Sequence, residues 1–100
     1  MDSLANFLFE VGMLSRTPRS GYQFLGSGSE SVAEHILRTA FVGYTLCKMD
    51  GSLDELRVLK MCILHDLPEA RTGDMNYVNK KYVAVDEATA GRELTDELFF

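Results

Sequence analysis

Apolar residues recur along this chain at intervals of three and four rather than two, a rhythm that predicts helices and no sheet. Leu4, Phe7, Leu8, Val11 and Leu14 form one stripe of a first helix, which Asp2 or Ser3 can cap. The turn-forming clusters Ser15-Arg-Thr-Pro-Arg-Ser-Gly21 and Gly26-Ser-Gly-Ser29 interrupt the rhythm, so residues 15–29 read as a loop. It resumes with Val32, Ile36, Leu37, Ala40, Phe41, Tyr44 and Cys47. In front of that set stands Ser31-Val-Ala-Glu34, a capping box in which hydroxyl and carboxylate each take the other residue's amide. Gly51 marks the stop after Met49-Asp50.

Ser52-Leu-Asp-Glu55 repeats the capping pattern and predicts a third helix with Leu56, Leu59, Ile63 and Leu64 on one side. Pro68 predicts a break around residues 66–68 and suits the first turn of a new short helix. Thr72-Gly73-Asp74 reads as a turn, residues 77–83 as another helix, and Asp86 as the cap of a last one through Ala88, Leu94, Leu98 and Phe99. Tyr82-Val-Ala-Val85 is the only β-like run and is too short to build a sheet. The expected architecture is all-α, a bundle of about five helices. Its last helix runs into Phe99-Phe100 without a stop signal, so the natural protein is expected to continue and the bundle to be truncated at its C-terminal end.

Composition adds limits. One hundred residues suit a single small domain. No apolar run approaches the length of a membrane span, so no membrane association is expected. Residues 1–10 carry two acids and no basic region, unlike a secretory signal or transit peptide, and the expected compartment is the cytoplasm. Cys47 and Cys62 lie in apolar helical patterns without metal-binding spacing and read as buried, reduced thiols. The methionines, Met49 and Met61 among them, read as core fillers. A net charge of −5, with only short basic pairs such as Lys80-Lys81, argues against a nucleic-acid polymer as partner. A small phosphorylated molecule stays compatible if a metal and an arginine sit locally in the site.

His35 follows the capping box, and His65-Asp66 closes the third helix. A metal site needs neutral imidazoles and carboxylates converging on one point. Adjacent helical residues point about 100° apart, so His65 and Asp66 share an ion only at a helix end, which the Pro68 break provides. Glu69 and Asp74 bring two further carboxylates nearby. Clustered like charges raise one another's pKa, and a divalent cation would relieve them. The competing reading makes Glu69 and Asp74 solvated caps screened by Arg71, and the histidines ordinary core or surface residues. Likewise, Arg16, Arg19 and Lys80-Lys81 read from the residues alone as solvated, and Tyr22 and Phe24 as loop packing or substrate contacts.

Taken together, Glu30-Ser31-Val-Ala-Glu34-His35 and His65-Asp66-x-x-Glu69-x-x-x-Gly73-Asp74 resemble the HD-domain superfamily of metal-dependent phosphohydrolases. Pro18-Arg19-Ser-Gly21-Tyr22 is similar to the Pro-Arg-Thr-Gly-Trp segment of its 5′-deoxynucleotidase branch, and the resemblance covers residues 4–82. It implies that His35, His65 and Asp66 are ligands of one divalent ion (Co, Mn, Mg, Zn, Fe or Ni). The family completes that set with an aspartate on a later helix, which has no counterpart here. It implies further that Glu69 handles protons, that Asp74 supports the catalytic end, and that Arg19 holds the phosphate. Tyr22 would pack near the sugar, with Tyr for Trp loosening selection against a 2′-hydroxyl. The expected reaction converts a deoxynucleoside 5′-monophosphate to deoxynucleoside and phosphate, in a homodimer. The alternatives are another HD phosphohydrolase acting on a cyclic nucleotide, triphosphate or other phosphoester, and a non-catalytic binding or dimerisation module.

Overall fold

A computed structural model describes residues 2–25, 28–76 and 78–95, with all side chains there except those of residues 2, 3, 23 and 24. Helix α1 spans Asp2–Met13, and the cap assigned to Asp2 or Ser3 falls outside the described side chains. Only part of the α1 stripe is used. Phe7 and Val11 pack against buried Leu14, while Leu8, 61% exposed, and Leu4 face outward.

The segment read as an irregular loop is more ordered than expected. A 3-10 turn, Leu14–Arg16, follows α1, and a one-turn helix, α2 (Tyr22–Leu25), sits at the loop's far end. Between them the chain runs antiparallel to the residues before α3. Arg19 N–H donates to the Glu30 carbonyl at 2.8 Å and Val32 N–H to the Thr17 carbonyl at 2.7 Å. These bonds satisfy backbone groups that burial beside Leu14 and Val32 would otherwise strand. Gly28 has φ 81°, and a Cβ there would meet the Tyr22 ring at 3.1 Å, so glycine is needed on both counts.

Helix α3 (Val32–Met49) begins at the expected capping box: Ser31 N–H donates to Glu34 Oε1 at 3.0 Å and Glu34 N–H to Ser31 Oγ at 3.1 Å. The second box does not form. Ser52 donates its N–H and hydroxyl to Asp50 Oδ1, at 3.0 and 2.6 Å, and is spent there. Helix α4 (Glu55–Leu64) is capped instead by Asp54, whose carboxylate accepts Arg57 N–H at 3.2 Å. An anionic acceptor at the positive end of a helix outcompetes a hydroxyl already engaged.

Helices α3 and α4 form a tight antiparallel pair. A Cβ on Gly43 would stand 2.8 Å from Cys62 Sγ, so the approach requires glycine. Both cysteines are free thiols; Cys47 is buried, but Cys62 is only half-buried, against expectation. The outward faces of the pair are uncovered, with Leu37, Phe41, Leu56 and Ile63 exposed and no residue of α4 buried. Met49 and Met61, expected in the core, are 78% and 62% exposed because they lie on these uncovered faces.

His65 ends α4, and after Leu67 and Pro68 comes the one-turn helix α5 (Glu69–Thr72), closed by Gly73 at φ 74°. The helix expected over residues 77–83 shrinks to one 3-10 turn, Asn79–Lys81, started by Asn79 N–H on Asn76 Oδ1 at 2.8 Å. Tyr77 lies outside the described residues. Helix α6 (Glu87–Thr95) is capped by Asp86 as expected, through Thr89 N–H at 2.9 Å. It buries Ala90 and Leu94 rather than Ala88; Leu98 and Phe99 fall outside the described residues.

The core is small: Leu14, Val32, Leu67 and Leu94, with Ile36, Ala33 and Ala70 against it. At its rim Arg71 forms a two-pronged pair with Glu10, 2.8 and 2.7 Å, and reaches Glu93 at 3.5 Å, tying α1, α5 and α6 together. Arg71 is thus engaged as a clamp rather than simply as a screen for Glu69 and Asp74. The radius of gyration, 15.1 Å, exceeds the roughly 13 Å of a compact domain this long, as expected of an α3–α4 pair packed on one side only. Among the described residues no helix is long and apolar enough to cross a membrane.

Two stability outcomes follow. Leu14→Ala should lower the unfolding free energy by roughly 2–5 kcal/mol in urea titrations, and Leu8→Ala by less than about 0.5 kcal/mol. Asp54→Ala should cost about 1 kcal/mol of cap energy, more than Ser52→Ala; the reverse order would restore the box the sequence suggests.

Candidate active site

One cleft gathers almost every chemistry-bearing side chain. It encloses about 510 Å³ and is lined by Arg19, His35, Thr39, His65, Asp66, Glu69, Asp74, Lys80 and Glu87, with Met61 and Cys62 also in its wall. A second hollow of about 530 Å³ along α4 is lined by Leu56, Met61 and Leu64 together with Asp54, Arg57, Lys60 and His65, and holds only one of the seven residues singled out from sequence.

Each cleft residue is delivered by a local device. The capping box fixes the first turn of α3 and with it His35. The end of α4 presents His65 and Asp66, and the Pro68 break turns the chain so that α5 brings Glu69 back beside them. Gly73 then swings Asp74 across to the Arg19 loop, where Asp74 Oδ2 accepts Ser20 N–H at 2.9 Å and Ser20 Oγ–H at 3.2 Å.

Asp66 is the centre of the donor set. Its Oδ2 lies 3.4 Å from His35 Nε2 and its Oδ1 2.9 Å from His65 Nδ1. Two donors bound at about 2.1 Å to one ion with a near-tetrahedral angle stand about 3.4 Å apart, so the His35–Asp66 spacing fits a shared divalent cation. His65 lies on the other carboxylate oxygen, its side chain 83% exposed. Among the described residues no three His, Cys, Asp or Glu side chains close around a single point. The donors, two imidazoles and a carboxylate, fit a divalent metal.

Next to this set are two carboxyl groups with opposite behaviour. Burial, the Asp66 charge and a hydrogen bond with Asp74 push Glu69 up to about 8, with the charges of Asp74 and Glu87 adding to the effect. Burial also acts to raise Asp74. There the amide and hydroxyl of Ser20, the Glu69 proton and the Arg19 charge together outweigh it and hold Asp74 below the usual carboxylate range. Burial and neighbouring charge thus favour a proton on Glu69, while the Ser20 donors favour an ionised Asp74.

The HD domain family profile matches residues 11–99. The chain belongs to the HD domain family. It is 34% identical over 76 residues to the zebrafish (Danio rerio) 5′-deoxynucleotidase HDDC2, matching 75% of this chain and 37% of that protein. It is 36% identical over 83 residues to a 5′-deoxynucleotidase of Vibrio cholerae, matching 70% and 42%. A solved conserved hypothetical protein from Pyrococcus furiosus superposes with a TM-score of 0.85 at 32% identity, over 93% of this chain and 60% of that one. The chain spans about two fifths of the length of the curated relatives it matches.

Within this HD domain the cleft brings together Arg19, His35, His65, Asp66, Glu69 and Asp74, six of the seven residues singled out from sequence. Tyr22 is not part of the lining; its ring lies against Gly28. Lys80, read as a solvated residue, does line the cleft. Sequence reasoning missed Ser20 and Glu30. Ser20 is 8% exposed and Glu30 7% exposed, and both hold other site residues. Glu30 stood in the quoted motif; the signal for Ser20 was its place between Arg19 and Gly21.

The Glu69 shift has a thermodynamic consequence. Its folded pKa lies above the unfolded value, so the folded chain holds an extra proton between about pH 4.5 and 8. The associated stability is fully present below that window and is lost as pH rises through it. Urea midpoints of the metal-free chain should therefore fall from pH 5 to 8.5, and fall less steeply in Glu69→Gln, which mimics the protonated acid.

Proposed function

We propose that this HD domain is part of a metal-dependent phosphomonoester hydrolase of the 5′-deoxynucleotidase type, releasing phosphate from deoxynucleoside 5′-monophosphates. The observation that carries the reading is the single cleft in which Glu69 and Asp74 stand beside the His35–Asp66 donors and Arg19. The names of the curated relatives support the substrate class.

In this reading His35, His65 and Asp66 hold one divalent ion, with a further aspartate contributed from outside these residues. When bound, the ion supplies positive charge for the phosphoryl oxygens and lowers the pKa of a coordinated water. Arg19 meets the phosphoryl group with its guanidinium fork, whose geometry suits two oxygens at once. Glu69, whose pKa burial raises, would give its proton to the leaving 5′-oxygen, so that the departing group leaves as an alcohol. Asp74 accepts the Glu69 hydrogen bond and keeps that carboxyl oriented. Through Ser20 it also ties the acid to the Arg19 loop, so proton donor and anion anchor share one frame. Tyr22, at the head of that loop, is the candidate for the sugar contact.

The test is phosphate release from a panel of deoxy- and ribonucleoside 5′-monophosphates by the full-length protein with added Co²⁺, Mn²⁺ or Mg²⁺. Release is expected from the deoxynucleotides, and Glu69→Gln should lower kcat by about 10²–10⁴-fold. Inactivity on every monophosphate would sink the reading; activity confined to cyclic or triphosphate substrates would move it to another HD phosphohydrolase.

A further inference from the structure

Arg19 is held by a residue that neither the motif spacing nor the proposed chemistry accounts for. The Glu30 side chain is only 6% exposed, yet it carries a carboxylate, and a buried carboxylate must be paired. Two arginines serve it: Arg38 Nη2 at 2.8 Å and Arg19 Nε at 3.8 Å. The backbone repeats the link, since Arg19 N–H donates to the Glu30 carbonyl at 2.8 Å.

The two distances assign unequal roles. At 2.8 Å, Arg38 makes a charge-assisted hydrogen bond and neutralises Glu30. At 3.8 Å, Arg19 makes no hydrogen bond, and its buried Nε has no hydrogen-bond partner among the described residues. The trio of Arg19, Glu30 and Arg38 therefore keeps one net positive charge, and that charge is left on the arginine that lines the cleft. A long arginine in a Pro/Gly loop would otherwise lose much rotamer entropy on binding an anion.

We propose that Glu30 is the positioning residue for Arg19: from inside the fold it aims the guanidinium into the cleft, while Arg38 prevents it from consuming the Arg19 charge. The proposal rests on the reading of Arg19 as the phosphate anchor. A carboxylate that merely neutralised Arg19 would have the opposite effect on anion binding, so the sign of one measurement separates the two.

The experiment titrates inorganic phosphate into the full chain by calorimetry, with chelator present so that no metal contributes. It uses wild type, Glu30→Gln, Arg19→Met and the double variant. Glu30→Gln should weaken phosphate binding about tenfold, and adding it to Arg19→Met should weaken binding no further. In an active protein the same substitution should raise KM by a similar factor with kcat within about twofold, a split that general destabilisation would not produce. Arg38→Met, at a largely exposed position, covers the case in which Glu30→Gln does not fold. It should also weaken phosphate binding several-fold, because Glu30 then turns its charge on Arg19. Glu30→Asp should restore part of the affinity. Unchanged or tighter binding in Glu30→Gln or Arg38→Met, with Arg19→Met weakened, overturns the proposal and leaves the anchor role of Arg19 intact. So does an additive double variant. Wild type and Arg19→Met binding phosphate equally overturns the anchor reading itself, and the proposal with it.

Discussion

Val32 is completely buried, and the geometry of the cleft depends on that. Its side chain meets Leu14, Leu67 and Leu94, and its N–H is bound to the Thr17 carbonyl. Each of these contacts lies next to a functional segment. Thr17 is two residues before Arg19, Leu67 directly follows Asp66, and Val32 is one helical turn before His35. A single small apolar cluster thus registers the Arg19 loop, the first turn of α3 and the end of α4 against one another. Burial of so few side chains contributes only a few kcal/mol each, so the site's frame and the fold's stability are nearly the same set of contacts.

Charge is managed around that frame by pairing rather than by exposure. Four carboxylates line the cleft, Asp66, Glu69, Asp74 and Glu87, against two permanent cations, Arg19 and Lys80. Left ionised together, the four would repel strongly in a half-buried space. The conflict is resolved by asymmetry: Ser20 donates two hydrogen bonds to Asp74 and stabilises it as an anion, while Glu69 keeps its proton and donates it toward Asp74. Two chemically similar side chains are pushed in opposite directions because burial and the Asp66 charge act on Glu69 while Asp74 receives donors from the loop.

What was legible in the sequence were local events. The Ser31–Glu34 box, the Asp86 cap and the Pro68 break each depend on residues within four positions of one another, and all three appear as expected. The box at Ser52 failed for an equally local reason, a competing acceptor at Asp50 that pattern matching does not weigh. Of the six site residues that converge, His35, His65, Asp66 and Glu69 ride on helix ends that the sequence signals, whereas Arg19 and Asp74 come from loops joined through Ser20. Ser20 and Glu30 were not legible, since their partners in space, Asp74 and Arg38, are set by the tertiary fold.

Periodicity carries a further limit, visible on α3 and α4. The apolar stripes Ile36–Leu37–Phe41 and Leu56–Ile63–Leu64 are genuine helical stripes, and both helices form where they predict. A stripe states that a face is suited to burial; it does not state that a partner is present to bury it. Here the pair's mutual contact needs only the narrow strip around Gly43 and Cys62, because glycine lets the two backbones approach closely. The wide remainder of each stripe stays in solvent, and with it Met49 and Met61, whose assignment to the core assumed that apolar means inside. Close approach at a small residue and broad interdigitation of large ones are alternative ways to pack two helices. This chain uses the first between α3 and α4, while its small core gathers single side chains, Leu14, Val32, Leu67 and Leu94, from four separate segments.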